Sequence, residues 1–158
     1  MKHKPWKVYT NSILAAEAVG ALSGFLTKDG MKLFNEQVTQ PPLSPPSFLF
    51  PIVWGILYAL MGIGAARIRM APPSDDRSKG LGIYIIQLIV NFFWSLIFFN
   101  MQRFAFAFLW LLLLWSLVAW MIIVFRKTDR LAAWLQLPYL LWLTFAAYLN
   151  LGVWYLNR

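Results

Sequence analysis

The sequence predicts an all-α membrane protein: a single domain built as a five-transmembrane-helix bundle. Three observations carry that prediction. Of its 158 residues, 60% are hydrophobic and 18% aromatic while only 13% are charged, which is more apolar surface than a soluble domain of this size can bury. Five apolar runs reach the length of a bilayer crossing, about 20 residues each, and they leave no room for a soluble catalytic domain. Runs such as Phe104–Phe125 are apolar on every side. A spanning β-barrel instead needs alternating segments of about ten residues, so helices are the reading that satisfies the backbone in lipid.

The first run, 8–26, is interrupted only by Glu17 and stops at Lys28-Asp29-Gly30. A Lys-rich start before an apolar stretch also resembles a signal peptide, but the run is long for one and Glu17 would break its apolar region, so a retained first helix is expected. Residues 27–47 form the one long connection and contain Pro41, Pro42, Pro45 and Pro46. Proline fixes φ and removes donors, so this segment is expected either as a stiff lid over one mouth of the bundle or as a rigid linker. The second span, 48–68, ends at Arg67–Lys79 with Pro72-Pro73; the third, 81–101, ends at Arg103; the fourth, 104–125, ends at Arg126–Arg130. The fifth, 131–156, is interrupted only by Pro138.

Five crossings place Lys2, Lys4, Lys7, Arg67, Arg69, Arg77, Lys79, Arg126, Lys127 and Arg130 on one side, and Lys28, Lys32, Arg103 and Arg158 on the other. In a bacterial host this bias predicts a cytoplasmic N-terminus and an outside C-terminus. The formal charge of +8 is spread over segment ends rather than gathered into a patch, which argues against nucleic acid as a partner. The absence of cysteine excludes disulfides, thiolate nucleophiles and zinc–thiolate sites. The one histidine, His3, precedes the first run, so no intramembrane imidazole is available for a metal, a haem or a proton relay.

Amide side chains in hydrocarbon require partners, which draws attention to Gln87, Asn91, Gln136 and Asn150. Helical spacing puts Gln87, Asn91 and Trp94/Ser95 on one face of the third span, Trp142, Ala146 and Asn150 on one face of the fifth, and Trp54 and Tyr58 on one face of the second. Two explanations stand on periodicity alone. The amides glue helices together, at about 0.6 kcal/mol per contact, with Trp filling space; or the three stripes converge on a flat apolar pocket for a large planar guest. Glu17, the one acid inside an apolar run, has no relay partner and is expected against other helices beside the small-residue series Ala16, Gly20 and Gly24. Val153–Arg158 fits a proposed cholesterol pattern, but interfacial anchoring by Trp154, Tyr155 and Arg158 explains the same residues.

Taken together, Pro41-Pro42-Leu43-Ser44-Pro45-Pro46, Pro51-Ile52-Val53-Trp54-Gly55-Ile56-Leu57-Tyr58, Gln87–Ser95 with Phe98-Phe99, and Leu137-Pro138-Tyr139-Leu140-Leu141-Trp142 with Ala146 and Asn150 resemble the translocator protein family, also called tryptophan-rich sensory proteins or peripheral-type benzodiazepine receptors. The resemblance implies a five-helix bundle, commonly a homodimer, whose cavity is closed by the first loop. It implies binding of porphyrins such as protoporphyrin IX, of synthetic isoquinoline carboxamide and benzodiazepine-type ligands and, in animals, of cholesterol; some bacterial members promote light-dependent oxidative breakdown of the porphyrin. It places Trp54, Tyr58, Asn91, Trp94, Trp142, Ala146 and Asn150 around the cavity. The chain departs from the family at Leu43, where Trp is usual, at Phe106, where some members have Trp, and at Trp110, where many carry an acid.

Three function classes follow. The leading one is a membrane tetrapyrrole-binding sensor or scavenger, with indole and phenol rings stacking on the macrocycle and Asn91 or the Trp54 N–H orienting it. The second is a transporter of porphyrin, sterol or another lipid, and the third a stress-response partner whose dimer the ligand stabilises. No resident cofactor or metal is expected. No paired carboxylates, nucleophile with base or metal cluster is visible, so any turnover is expected to draw on light absorbed by the porphyrin.

Overall fold

The computed structural model describes residues 4–158, which leaves the sequence-singled His3 outside the described residues. All the regular secondary structure of the described chain is helical: α1 Pro5–Gln37, α2 Leu49–Met70, α3 Asp75–Ser95 running on into a π-helical turn Leu96–Asn100, α4 Phe104–Thr128, α5 Arg130–Trp134 and α6 Leu137–Leu156. Four segments are long and apolar enough to cross a membrane: α2, α3 with its π turn, α4, and α5 with α6. The 33-residue α1 has the length, but Asn11, Ser12, Glu17 and Ser23 dilute its apolarity.

α1 corrects the expected boundaries. It runs eleven residues past Leu26, so the connection expected over 27–47 shrinks to 38–48. Lys28-Asp29-Gly30 reads as a stop only in isolation. Lys28, Asp29, Lys32 and Glu36 face outward, while Gly30 and Phe34 are buried. Gly30 marks a close approach rather than a chain break, since a Cβ there would run into the Phe99 carbonyl and the Asn100 side chain. Phe34 packs edge-on and tilted against Phe98, Phe99 and Phe104, so the far end of α1 is held by aromatic burial.

The third helix begins six residues earlier than its apolar run. The Ser74 hydroxyl accepts the Arg77 N–H at 3.1 Å, and Asp75 and Asp76 occupy the first turn, which satisfies one orphan donor and complements the helix dipole. The expected fifth span, 131–156, is not one helix. Pro138 lacks an N–H and its ring would clash with the carbonyl four residues back, so the chain breaks at Leu135-Gln136 and restarts with Pro138 in the first turn of α6. Asp129 starts the preceding short helix, accepting the Ala132 N–H at 2.9 Å.

The long helices alternate in direction. One end of the bundle is tied by polar contacts: Arg67 pairs with Asp129 at 3.0 Å and lies 3.4 Å from the Tyr9 hydroxyl, and Arg69 donates to the Ser12 hydroxyl at 2.8 Å. At the other end Asn157 bonds the backbone of Thr39 in both directions, at 3.0 and 2.7 Å, and the Tyr148 hydroxyl donates to the Pro42 carbonyl at 2.7 Å. Between them α1 and α2 pack so closely that a Cβ on Gly62 would collide with the backbone of Ser12 and Ile13. That approach is where glycine, and nothing larger, fits.

Candidate functional site

The bundle encloses a cavity of about 410 Å³ beneath the 38–48 loop, walled by α1, α2, α3 with its π turn, and α6. All seven residues predicted to surround a guest line it: Trp54 and Tyr58 from α2, Asn91 and Trp94 from α3, and Trp142, Ala146 and Asn150 from α6. The mechanism of convergence is the helical period. A spacing of three or four residues puts each stripe on one face, and those faces turn inward because the opposite ones, at Ile56, Ile89 and Leu141, are exposed apolar surface for lipid.

The lining is held by a chain of side-chain hydrogen bonds. Tyr58 Oη donates to Asn91 Oδ1 at 3.0 Å, Asn91 Nδ2 donates to Tyr139 Oη at 2.6 Å, and Tyr139 Oη donates to Gln87 Oε1 at 2.8 Å. On the far wall Trp94 Nε1 donates to Asn150 Oδ1 at 3.2 Å, while Asn150 Nδ2 donates to the Phe104 carbonyl at 2.8 Å. Asn91 and Asn150 therefore join helices and face the cavity at once. Gln87 and Gln136 act between helices alone: Gln87 Nε2 reaches Met61 Sδ at 3.8 Å and Gln136 Nε2 donates to the Leu60 carbonyl at 3.2 Å.

The aromatic residues divide into fixed and available rings. Trp94 is stacked on Phe98, centroids 5.0 Å apart and planes 24° apart, and its N–H is used. Trp54 lies 5.6 Å from Tyr58 and 6.2 Å edge-on from Tyr139, and Trp142 lies edge-on 5.9 Å from Phe50. Both of these indoles are half-buried. Among the described residues the indole N–H groups of Trp94, Trp110 and Trp115 are satisfied inside the protein, and those of Trp54 and Trp142 make no such bond.

The four lid prolines do not themselves line the cavity. Gln40, Ser44 and Ser47 between and beside them do. Pro41 is buried against Gly152, the Pro42 carbonyl takes the Tyr148 hydroxyl, and the Ser44 hydroxyl bonds the Pro41 carbonyl at 2.7 Å. Proline here stiffens a frame that presents polar side chains. Leu43, at the position where Trp was expected, points away with 81% of its surface exposed and sits at φ 70°. Trp110, standing where an acid is common, donates to the Val90 carbonyl at 2.7 Å and so ties α4 to α3. At the C-terminus Arg158 lies over the Tyr155 ring at 4.4 Å and the Trp154 ring at 5.9 Å, the anchoring geometry expected of an interface.

Sequence reasoning missed part of the wall. Phe98 and Phe99 lie four and five residues after Trp94, a spacing that pointed to them, but the π turn that gathers them was not readable. Phe34, Met31 and Asn35 lay beyond the expected end of the first helix. Glu17, expected against other helices, instead lines the cavity. On a helical period it shares a face with Gly20, Ala21 and Gly24, which line it too.

These features define a helical membrane protein with an internal aromatic cavity. A sequence model of the TspO/MBR family matches residues 12–156, and the chain belongs to that family. It is 38% identical over 123 residues to Protein CrtK of Rhodobacter capsulatus, covering 77% of each chain. It is 33% identical over 152 residues to the tryptophan-rich sensory protein of Cereibacter sphaeroides, covering 96% of this chain and 92% of that one. With the translocator protein of Ovis aries the identity is 32% over 157 residues, 98% of this chain and 92% of the relative.

Proposed function

We propose that the protein is an integral membrane binder of a porphyrin such as protoporphyrin IX, crossing the bilayer five times and acting as a stress sensor or scavenger. The observation that carries this reading is the cavity itself. At about 410 Å³ it falls within the size of pockets that enclose small-molecule ligands. Two half-buried indoles, Trp54 and Trp142, offer ring faces and free N–H donors, and flat apolar guests are held best by such surfaces. The outward Leu14, Leu22 and Phe25 of α1, each more than half exposed, support the fifth crossing.

Light-dependent oxidative breakdown fits the same cavity. The described residues offer no conventional catalytic constellation, so light absorbed by the porphyrin supplies the driving force and dioxygen is the oxidant; Trp54, adjacent to Tyr58 and Tyr139, serves as an electron donor to the excited guest, whose extra electron passes on to dioxygen. A transporter of porphyrin, sterol or lipid would be better served by a helix broken at the binding site. The break at Leu135-Gln136 contributes nothing to the cavity lining. The family resemblance carries a homodimer with it, and the bilayer is the second partner.

The decisive experiment is a titration of detergent-solubilised protein with protoporphyrin IX, read by Trp quenching and visible spectra in dark and light. Saturable binding that Trp142→Ala weakens supports the reading; a linear, mutation-insensitive signal overturns it. Bleaching equally fast in the dark, or unaffected by removing Trp54 and Trp142, removes the photochemical part alone.

A further inference from the structure

Glu17 is the one Asp, Glu, Lys, Arg or His among the residues lining the cavity. Its carboxyl takes part in none of the ion pairs or hydrogen bonds among the described residues, where Arg67 and Asp129 form the ion pair. Tyr58, whose ring abuts Gly20 one turn along α1, already donates its hydroxyl to Asn91. The carboxyl is therefore left to face whatever occupies the space.

Its place in the cavity is as informative as its chemistry. The α1 lining runs from Glu17 to Asn35, a rise of about 27 Å. Glu17 marks the inner end, and Gln40, Ser44 and Ser47 of the loop mark the other. The inner end thus carries an uncompensated acid, and the loop end carries neutral hydrogen-bonding groups.

We infer that Glu17 is a specificity-determining residue, which rejects an acidic edge of the guest at the inner end and so orients a carboxylate-bearing macrocycle with its acid groups toward the loop. This inference rests on the porphyrin reading above and adds a chemical selection to it. Like charges brought together in a confined apolar space disfavour the wrong guest or the wrong orientation more than any contact favours the right one. A porphyrin with both carboxylates on one edge satisfies the cavity. One with carboxylates around the whole ring aims an acid at Glu17 in every orientation.

The test compares protoporphyrin IX, with two carboxylates on one side, and coproporphyrin III, with four around the ring, on the full chain in detergent. Wild type is expected to hold the former at least about tenfold more tightly. Glu17→Gln, of the same shape, should narrow that gap to about threefold by improving coproporphyrin binding. Glu17→Asp should keep the discrimination. A ratio unchanged in Glu17→Gln, or equal affinities in wild type, overturns the inference while leaving the porphyrin reading intact. Failure of both porphyrins to bind wild type overturns both.

Discussion

Tyr139 stands fully buried behind the cavity wall with its hydroxyl 2.6 Å from Asn91 Nδ2, so a residue outside the cavity lining fixes an amide that belongs to it. The same hydroxyl donates to Gln87 Oε1. Tyr139→Phe deprives two buried amides of a partner, and an unsatisfied buried polar group costs about 1–3 kcal/mol. The variant is expected to unfold at lower temperature in detergent and to bind protoporphyrin IX several-fold more weakly, because the Asn91 side chain is free to turn. Lower stability with unchanged affinity would assign the chain of bonds to folding only.

The indoles should separate by role. Trp142→Ala and Trp54→Ala remove ring faces that border the cavity, and each is expected to weaken porphyrin binding by more than about tenfold, as loss of a buried aromatic anchor does. Trp110→Ala removes a partly buried indole bonded to the Val90 carbonyl, and should cost up to about 3–5 kcal/mol of stability with little change in affinity. Equal loss of affinity in all three variants would mean that the ring faces are not the recognition surface.

Glycine substitutions test the packing that shapes the cavity. At Gly62 an added methyl meets the α1 backbone, and at Gly30 it meets the Phe99 carbonyl; at Gly24 it meets nothing within 4 Å. Gly62→Ala and Gly30→Ala should each destabilise the protein by about 1–3 kcal/mol, and Gly30→Ala should also weaken binding because it pushes α1 away from Phe98 and Phe99. Gly24→Ala should be close to neutral. Thermal melts and porphyrin titrations of the three read this directly, and a destabilised Gly24→Ala beside a neutral Gly62→Ala would contradict the helix contacts described.

The parts legible in the sequence were those governed by a repeating period. Apolar length gave the helices, and a spacing of three or four gave the faces of Trp54, Asn91 and Trp142, because both are local properties of a helix. The parts that were not legible depend on contacts between distant segments. Gly30 looked like a terminator until Phe99 and Asn100 were packed on it; the π turn over Leu96–Asn100 has no spacing signature; and Glu17 could be put on a face of α1 but not told that the face is hollow. The lid was legible as stiff, yet which of its residues look inward depends on Pro41 seating on Gly152.

Acidification should expose the tie at the closed end of the bundle. Partial burial raises the pKa of the Asp129 carboxyl, but the Ala132 N–H and the Arg67 guanidinium outweigh it and hold the group below its ordinary value. A depressed carboxylate contributes stability that is fully present above its unfolded pKa, about 3.9, and is lost as pH falls through the folded value. Stability owed to this group should therefore be flat from pH 7 to about 5 and fall below about 4. Asp129→Asn keeps a side chain able to cap α5 but removes the charge. Because the pair is partly exposed, the variant should lose only about 1 kcal/mol at neutral pH. Its deficit against wild type should narrow as pH falls below about 4, as seen in melting temperature across pH; a deficit that does not change with pH would show that the cap, rather than the charge, was lost.

The orientation of the whole bundle follows from where its alternating ends carry charge. Arg67, Arg69, Arg77, Arg126, Lys127 and Arg130 share the end that Asp129 ties, whereas the loop end holds Lys28, Lys32, Arg103 and Arg158. In a bacterial membrane the richer end is expected in the cytoplasm. A single cysteine introduced at Ser78, on the α2–α3 side, should resist an impermeant thiol reagent added to intact cells and react once they are permeabilised. A cysteine at Arg158 should react from outside, since the native chain has no cysteine to give background. Both positions labelling from the same side would mean that one of the three spans between them fails to cross, whereas α1, with Asn11, Ser12, Glu17 and Ser23 along it, is tested by a third cysteine at Lys4, which should label from the same side as Ser78 if α1 and α2 both cross and from the opposite side if α1 does not.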